Sequence, residues 1–174
     1  LQENRPDIFR NMAGCYSIQQ YFLSRLGCPA IYDYSIGARS MMMNTKKAEW
    51  SPDVMKVVGV KAGAMGKICP STYCVGETDR IGNAKLPGAL PVIIGGHDAL
   101  CSFIGLGVLP SERQTLLAES AGSWDLVGFI PKTFYRTDER YTGLHIGLGP
   151  DGKSYHMMGS TFSGPVMHWF VDEI

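Results

Sequence analysis

A carboxylate that follows an apolar run is the feature of this sequence best suited to chemistry. The run Pro91–Ile94 is apolar and rich in β-branched residues, which predicts a buried strand, and Gly95-Gly96 then predicts a sharp turn that a ligand can approach closely. Asp98 follows at the N-cap position of an apolar helical segment, Ala99–Gly107. Ligands of open α/β sheets bind beyond the carboxyl ends of strands. Asp98 is therefore either an active-site carboxylate or only a helix cap, and this run leaves both open.

The composition excludes several classes of function. The chain has 174 residues, of which 45% are hydrophobic, enough for a sizeable core. Lys+Arg and Asp+Glu number 16 each without a charge run, so there is no basic footprint for nucleic acid. No apolar stretch is long enough to span a bilayer, and no signal peptide is visible. We therefore expect a cytoplasmic protein without nucleic-acid or membrane partners.

The cysteines and histidines show no framework for a metal or for disulfides. The five cysteines are odd in number and irregularly spaced, which predicts free thiols, with a Cys69/Cys74 metal or disulfide pair as the alternative. His145, His156 and His168 lack metal-ligand spacing and are interpreted as structural or surface residues.

Local patterns predict helices first and then strands. Apolar spacing predicts one amphipathic helix over Phe9–Leu26, ended by Gly27, and a strand and turn over 30–44. Ser51-Pro52-Asp53 predicts the start of a short helix that ends near Gly59. The later predictions are strands at Gln114–Ser120 and Trp124–Phe129 around the turn Ala121–Ser123, strands His145–Leu148 and Tyr155–Met158 around the turn Gly149–Gly152, and a helix from Gly164. Together they indicate an α/β protein.

Four stretches, in order and with matching rough spacing, resemble the FGGY family of carbohydrate kinases. They are Asp33–Ser40 followed by Trp50, Gly95–Cys101 with Gly105 and Gly107, Glu119–Asp125, and Gly159–Asp172. They are similar to the family's T-D-Y-[ST]-x-A-S-R-T stretch with its later Trp, its G-G-x-D segment, its D-S-x-G-T-A-E phosphate loop and its G-x-x-x-x-G-x-x-x-x-W-x-x-D helix entry. The resemblance covers essentially the whole chain.

The resemblance implies a ribonuclease H-like (actin-like ATPase) two-domain α/β fold with the active site between the domains. We expect this chain to be the middle portion of a longer polypeptide, since it starts at Leu1 and the family is much longer. Residues 1–107 would be the C-terminal part of the sugar-binding domain, and residues 108–174 the beginning of the nucleotide-side domain.

The implied reaction moves the γ-phosphoryl group of ATP onto a sugar or polyol hydroxyl, with Mg²⁺ as cofactor. Asp98 matches the family's general base, because a carboxylate near the attacking hydroxyl orients it and accepts its proton. Its place at a helix N-terminus favours the ionised form. Within this chain, the expected metal contact is at most Asp98 through a water molecule.

The resemblance also implies a phosphate loop. Backbone N–H groups and a hydroxyl in a tight turn bind phosphates. Gly122-Ser123 matches the family's Gly-Thr best, while an ungapped alignment from Asp98 puts Ser120 at the threonine. The sequence Ala121-Gly122-Ser123-Trp124 departs from the family's Gly-Thr-Ser or Gly-Thr-Ala, so an ordinary turn is the alternative.

Three residues are predicted to bind substrate. Tyr34 matches a position that touches substrate in glycerol kinase, with packing at the domain surface as the alternative. His97 and Ala99 flank Asp98, and Ala99 replaces a polar residue of several relatives, which argues against a glycerol or xylulose kinase. Asp33 and Arg39 are interpreted as structural, through buried hydrogen bonds or ion pairs.

The family's N-terminal phosphate motif, with its Mg²⁺-anchoring aspartate, and its adenine-binding glycines have no counterpart in this sequence. We therefore expect the chain alone to be inactive. The expected partners are ATP, a small sugar or polyol and a second copy in a homodimer. The alternative function is a non-catalytic, actin-like protein that binds sugar or nucleotide with a degenerate phosphate loop.

Overall fold

The computed structural model describes residues 2–113, 116–134 and 143–174. The helices within these residues are α1 (Pro6–Arg10), α2 (Ile18–Arg25), α3 (Tyr34–Arg39), α4 (Pro52–Val58), α5 (Asp98–Gly105) and α6 (Gly164–Glu173), with a 3₁₀ turn at Ala62–Ala64. The strands are β1 (Tyr32–Asp33), β2 (Met43–Asn44), β3 (Glu49–Trp50), β4 (Ile68–Cys69), β5 (Cys74–Ile81), β6 (Ala84–Ile93), β7 (Ala118–Ser120), β8 (Trp124–Phe129), β9 (Leu144–Leu148) and β10 (Tyr155–Phe162).

These strands form three two-stranded pairs and one four-stranded sheet in the described ranges. β1 pairs with β4 in parallel, whereas β2–β3 and β5–β6 are antiparallel. The larger sheet is antiparallel with the order β7-β8-β10-β9. The two predicted hairpins of the second half are therefore confirmed, although strand Gln114–Ser120 is shortened to β7, and Gln114 and Thr115 lie outside the described residues.

The predicted helix over Phe9–Leu26 is wrong, because the chain leaves the helical path between α1 and α2. There the backbone bonds to distant groups instead of to its own next turn. The Tyr32 hydroxyl donates to the Cys15 carbonyl over 2.7 Å and accepts from Ser17 N over 3.2 Å, while Cys15 N donates to the Ala64 carbonyl over 2.8 Å. The second part of the prediction is confirmed, because α2 is helical over Ile18–Arg25 and Gly27 follows it with a φ of 78°.

The capping residues predicted for the short helix after Ser51 are confirmed. Ser51 Oγ accepts a hydrogen bond from Val54 N at the start of α4, and Gly59 ends this helix with a φ of 71°. In the stretch 30–44, predicted as strand and turn, α3 was missed. Asp33 caps α3 by accepting from Ser35 N and Ile36 N, and a helix of six residues is too short to show a periodicity.

The run Pro91–Ile94 is extended but is not the buried core strand that was predicted. The run lies at the end of β6, which pairs only with β5 in the described chain. One face of this two-stranded ribbon is uncovered, and Ile93 on that face is therefore 57% exposed. Only the other face is covered, where Val92 and Ile94 pack with Leu23 of α2. The alternation of one buried and one exposed side is the normal pattern of a half-covered strand.

The core that supports the later sheet lies under α5. Leu100 and Phe103 of this predicted helix are fully buried and cluster with Ile130 and Met158 of the sheet region. Because α5 precedes residue 107 and the strands follow it, one apolar core joins both sides of the predicted domain boundary. The boundary at 107/108 stays a prediction.

The five cysteines are free, as predicted. Cys69 is buried and Cys74 exposed, and burial, with the nearby Asp33 charge, raises the pKa of the Cys69 thiol to about 11. A Cys69 thiolate is therefore unavailable at neutral pH. No helix in ranges 2–113, 116–134 and 143–174 is both long and apolar enough to cross a membrane.

His156 on β10 is a buried histidine that predicts a loss of stability in acid. Its side chain is 2% exposed and its Nδ1 lies 3.1 Å from the Leu148 carbonyl oxygen, which fixes the proton on Nδ1. Burial, more than the neighbouring Arg39 and His97, lowers the pKa of His156 from 6.5 to about 4.

The second proton of the His156 ring binds more readily in the unfolded chain than in the folded one. The stabilisation of the folded state by neutral His156 is therefore present above pH 6.5 and is lost as the pH falls toward 4. We expect the free energy of unfolding to drop by about 2 kcal/mol between pH 7 and pH 4.5, measured by urea titration. His156→Gln should flatten this difference, and His168→Gln, at an exposed position of α6, should keep it. If the free energy of unfolding of His156→Gln fell as much between pH 7 and pH 4.5 as that of the parent protein, His156 would not be the source of the acid sensitivity.

Candidate active site

A cleft of about 640 Å³ lies between the start of α5, the end of α3 and the four-stranded sheet. Its described wall is formed by Arg39, His97, Asp98, Ala99, Ser120, Gly122, Ser123, Trp124, Leu126, His145 and Ser160. The cleft brings together residues that are far apart in the sequence. Among them are the predicted base, two of the predicted substrate residues and the residues of the predicted phosphate loop. Asp98 is the one carboxylate of this described wall.

Asp98 is the first residue of α5, and the N-cap position belongs to His97. The predicted position is thus corrected by one residue, and the chain reaches the helix with an extended His97 (ψ 135°) that offers no side-chain cap. The Asp98 side chain is 93% exposed, and its Oδ1 accepts a hydrogen bond from Ala99 N over 2.8 Å. A carboxylate at a helix N-terminus that faces open space can meet a ligand without any rearrangement.

The turn before Asp98 is held by a buried carboxylate. Asp33 is fully buried, and its two oxygens accept from Ser35 N, Ser35 Oγ, Ile36 N and Ser71 Oγ over 2.6–3.1 Å. Ser35 Oγ in turn accepts from His97 N over 2.8 Å. The interpretation of Asp33 as structural through buried hydrogen bonds agrees with these contacts.

Gly96 is required for this arrangement. A Cβ at Gly96 would lie 3.1 Å from both Ser35 Oγ and Ser71 Oγ, and 3.5 Å from Asp33 Oδ2. The absence of a side chain therefore lets the backbone come against the polar cluster, which fixes the direction in which the chain enters α5.

His97 lies between Arg39 and Asp98. Its Nε2 is 2.8 Å from Arg39 Nη2, and its Nδ1 is 3.0 Å from Asp98 Oδ1. Burial first, and the Arg39 charge second, lower the pKa of His97, while Asp98 opposes this shift. The imidazole is therefore neutral at pH 7 and brings no positive charge next to the Asp98 carboxylate.

The three predicted substrate residues are not together. His97 and Ala99 contribute to the cleft wall, and Ala99 is nearly fully buried beneath it. Tyr34 does not belong to the described wall. Its ring packs against Gly152 in the β9–β10 turn, where a Cβ would collide with it. This contact agrees with packing, the alternative to substrate binding for Tyr34, and its role in substrate binding stays a prediction.

The predicted phosphate residues line the same cleft as Asp98. Ser120 ends β7, and Gly122 and Ser123 form the turn to β8, so all three contribute to the wall. The turn is anchored from behind, because Ser163 Oγ donates to the Gly122 carbonyl over 2.9 Å. In front it is open, and a Cβ at Gly122 would have only the Trp124 carbonyl oxygen near it, at 3.7 Å.

Three further polar side chains of the wall, those of Arg39, His145 and Ser160, are not predicted as site residues from the sequence. His145 Nε2 lies 3.0 Å from Ser160 Oγ, across the pair of strands β9 and β10. The sequence predicts a structural or surface role for His145 and a structural role, through buried hydrogen bonds or ion pairs, for Arg39. No local pattern marks them, since α3 and β9 reach the cleft only by packing on each other, with Gly147 and Ala38 in close approach.

Comparison with known proteins decides the family. Residues 1–105 match the family model described as "FGGY family of carbohydrate kinases, N-terminal domain". The chain belongs to the FGGY family of carbohydrate kinases. The resemblance stated from the four motifs is thereby confirmed.

Individual FGGY relatives match nearly the whole chain. It is 25% identical over 177 residues to the autoinducer-2 kinase of Enterobacter sp. (strain 638), covering 99% of this chain and 32% of the relative. It is 25% identical to the xylulose kinase of Bacillus subtilis (strain 168), covering 98% of this chain and 34% of the relative. The crystal structure of a xyloylose kinase from Brucella ovis superposes with a TM-score of 0.83 at 20% identity, covering 98% and 35% of the two chains.

These matches confirm the predicted α/β fold of the FGGY kinases. They also show that the chain spans about a third of the length of the curated relatives it matches. What a complete FGGY protein with this segment would do is therefore a matter of proposal.

Proposed function

We propose that this chain forms part of an ATP-dependent carbohydrate kinase, which transfers the γ-phosphoryl group of ATP to a hydroxyl of a sugar or polyol. One observation carries the proposal. Asp98 and the open turn Gly122–Ser123 line the same cleft, from the helix side and from the sheet side. A carboxylate that can take the hydroxyl proton and a turn whose N–H groups can hold phosphate oxygens are two of the groups that phosphoryl transfer to an alcohol needs.

Asp98 acts as the general base. It accepts the proton of the substrate hydroxyl, whose oxygen forms a bond to the γ-phosphorus. The bond from that phosphorus to the β–γ bridging oxygen breaks, and ADP leaves with the electron pair. The neutral His97 supports this role, because an ionised imidazole beside the carboxylate would make it a weaker base.

The Gly122–Ser123 turn receives phosphate oxygens. Its backbone N–H groups and the Ser123 hydroxyl are the donors, and Ser120 at the end of β7 adds a second hydroxyl. The anchoring of the Gly122 carbonyl by Ser163 leaves the opposite side of the turn for an anion. The pattern Ala121-Gly122-Ser123-Trp124 can thus serve a phosphate loop despite its departure from the family's Gly-Thr pattern.

Mg²⁺ supplies charge neutralisation on the phosphates when it is bound. Within the described residues, no three His, Cys, Asp or Glu side chains are grouped to hold a metal ion. Mg²⁺ is commonly held by one or two carboxylates together with substrate phosphates and water. Asp98 is the group of the described wall that would reach it, through a water molecule.

The substrate is a small sugar or polyol, and the protein is cytoplasmic and forms a homodimer without nucleic-acid or membrane partners. His97 and the small Ala99 shape the sugar side of the cleft. The proposal is supported by the names of two matched relatives, an autoinducer-2 kinase and a xylulose kinase, which are both kinases of small molecules.

A coupled ADP-release assay tests this proposal. The full-length protein that carries this chain, with ATP and Mg²⁺, is tested on a panel of ketoses, polyols and sugar acids, with this chain alone as a second sample. We expect turnover of at least one substrate by the full-length protein and none by the chain alone. ATP binding with no turnover across the panel would contradict the kinase and support the non-catalytic binding protein.

A further inference from the structure

We propose that Arg39 is a positioning residue, which fixes the tautomer of His97 so that the His97 Nδ1–H group holds Asp98 Oδ1 and leaves Asp98 Oδ2 free to act as the base. From the sequence alone, Arg39 is predicted to be structural. The inference rests on the proposed function only for its activity measurements, because the tautomer can be measured without turnover.

The tautomer follows from the donor at Nε2. A guanidinium group only donates hydrogen bonds, so the contact of 2.8 Å between Arg39 Nη2 and His97 Nε2 makes Nε2 the acceptor. A neutral imidazole with an accepting Nε2 carries its proton on Nδ1. The lowered pKa of His97, caused by burial and then by Arg39, agrees with a neutral ring.

The surroundings of Nδ1 point the same way. This atom is shielded from solvent and has no well-aligned hydrogen-bond partner in the described chain, yet it lies 3.0 Å from Asp98 Oδ1. With the proton on Nδ1, a small rotation of the exposed Asp98 side chain satisfies the buried donor. With the proton on Nε2, two acceptors would face each other at this distance and repel.

The two oxygens of Asp98 are consequently unequal. Oδ1 receives Ala99 N at 2.8 Å and faces His97 Nδ1, whereas Oδ2 has no described hydrogen-bond donor. A carboxylate held through one oxygen presents the other in a defined direction, which is what a base needs toward a bound hydroxyl. Arg39 reaches Asp98 only through the ring of His97.

The first measurement is the tautomer itself. Two-bond ¹H–¹⁵N correlation spectra of the full-length protein distinguish a protonated Nδ1 from a protonated Nε2, and His97→Asn assigns the signal. We expect the Nδ1–H form in the parent protein and a shift toward Nε2–H in Arg39→Met. Arg80→Met, at an exposed position of β5, is the matched control and should leave the tautomer unchanged. An Nε2–H signal in the parent protein overturns the proposal, whether or not the protein is a kinase.

The second measurement separates positioning from structure. Asn at position 97 places its amide nitrogen near the place of Nδ1, whereas Gln places it near the place of Nε2. We expect Arg39→Met to lower kcat about tenfold with little change in KM for ATP, and His97→Gln to lower kcat similarly. An asparagine amide has no alternative tautomer for Arg39 to select. In the His97→Asn protein, Arg39→Met should therefore have no further effect on kcat. If Arg39→Met lowers kcat equally in the parent protein and in the His97→Asn protein, the proposal is overturned. If neither the parent protein nor any variant turns over a substrate, the result counts against the kinase instead.

Discussion

Asp98→Asn is expected to lower kcat at least about a hundredfold, because an amide of the same size cannot accept the hydroxyl proton. The Asp98 side chain is 93% exposed at the first position of α5, so the substitution removes little that the fold needs. ATP affinity, measured by calorimetry on the full-length protein, should stay within about threefold of the parent value, because in the proposed mechanism the Gly122–Ser123 turn, and not Asp98, receives the phosphates. The loss of kcat is measured in the ADP-release assay with the best substrate of the panel.

The matched control for this variant is Asp79→Asn, which makes the same chemical change at an exposed position of β5 outside the described cleft wall. It should keep kcat near the parent value. If Asp98→Asn retained near-normal turnover, Asp98 would not be the base, although the kinase reaction itself would stand.

Asp33→Ala is expected to lower the free energy of unfolding by at least about 3 kcal/mol. The substitution leaves four donors in or near the buried cluster without their acceptor, namely two backbone N–H groups of α3 and the hydroxyls of Ser35 and Ser71. Because Ser35 Oγ also accepts from His97 N, kcat should fall together with stability. Urea titration at pH 7 measures the first effect and the ADP-release assay the second.

Asp79→Ala is the control for stability and should change the free energy of unfolding by less than about 0.5 kcal/mol, as is typical of exposed sites. Ser71→Ala, which removes one donor of the cluster together with its partner bond, should have an intermediate effect. A stable Asp33→Ala protein with unchanged kcat would show that the cluster does not hold the turn before Asp98.

Several functional residues were predictable because their signals are local. Gly95-Gly96 followed by Asp98 marks a turn into a helix, and the structure has α5 beginning at Asp98. The turn around Gly122–Ser123 was predictable in the same way, from two strand-like runs with small residues between them. In both places the backbone conformation depends on neighbours within a few residues.

Longer-range features could not be predicted from one sequence. The periodicity over Phe9–Leu26 indicated one helix, but the Tyr32 hydroxyl takes the backbone groups of Cys15 and Ser17 instead. His145 carries no local mark of function, and it reaches the cleft because β9 packs on α3. Tyr34, which matched a family position, packs on Gly152 outside the described wall.

The sequence by itself determined the family, the start of α5 and the carboxylate and turn that face the cleft, since these depend on residue type and short-range backbone preference. Only the tertiary structure decided what surrounds that carboxylate. The bond from Arg39 to His97 spans 58 positions, and the bond from Ser35 to His97 spans 62. Contacts between residues so far apart form only when the packed elements bring them together, and such contacts determine which atom of Asp98 is held and which is free.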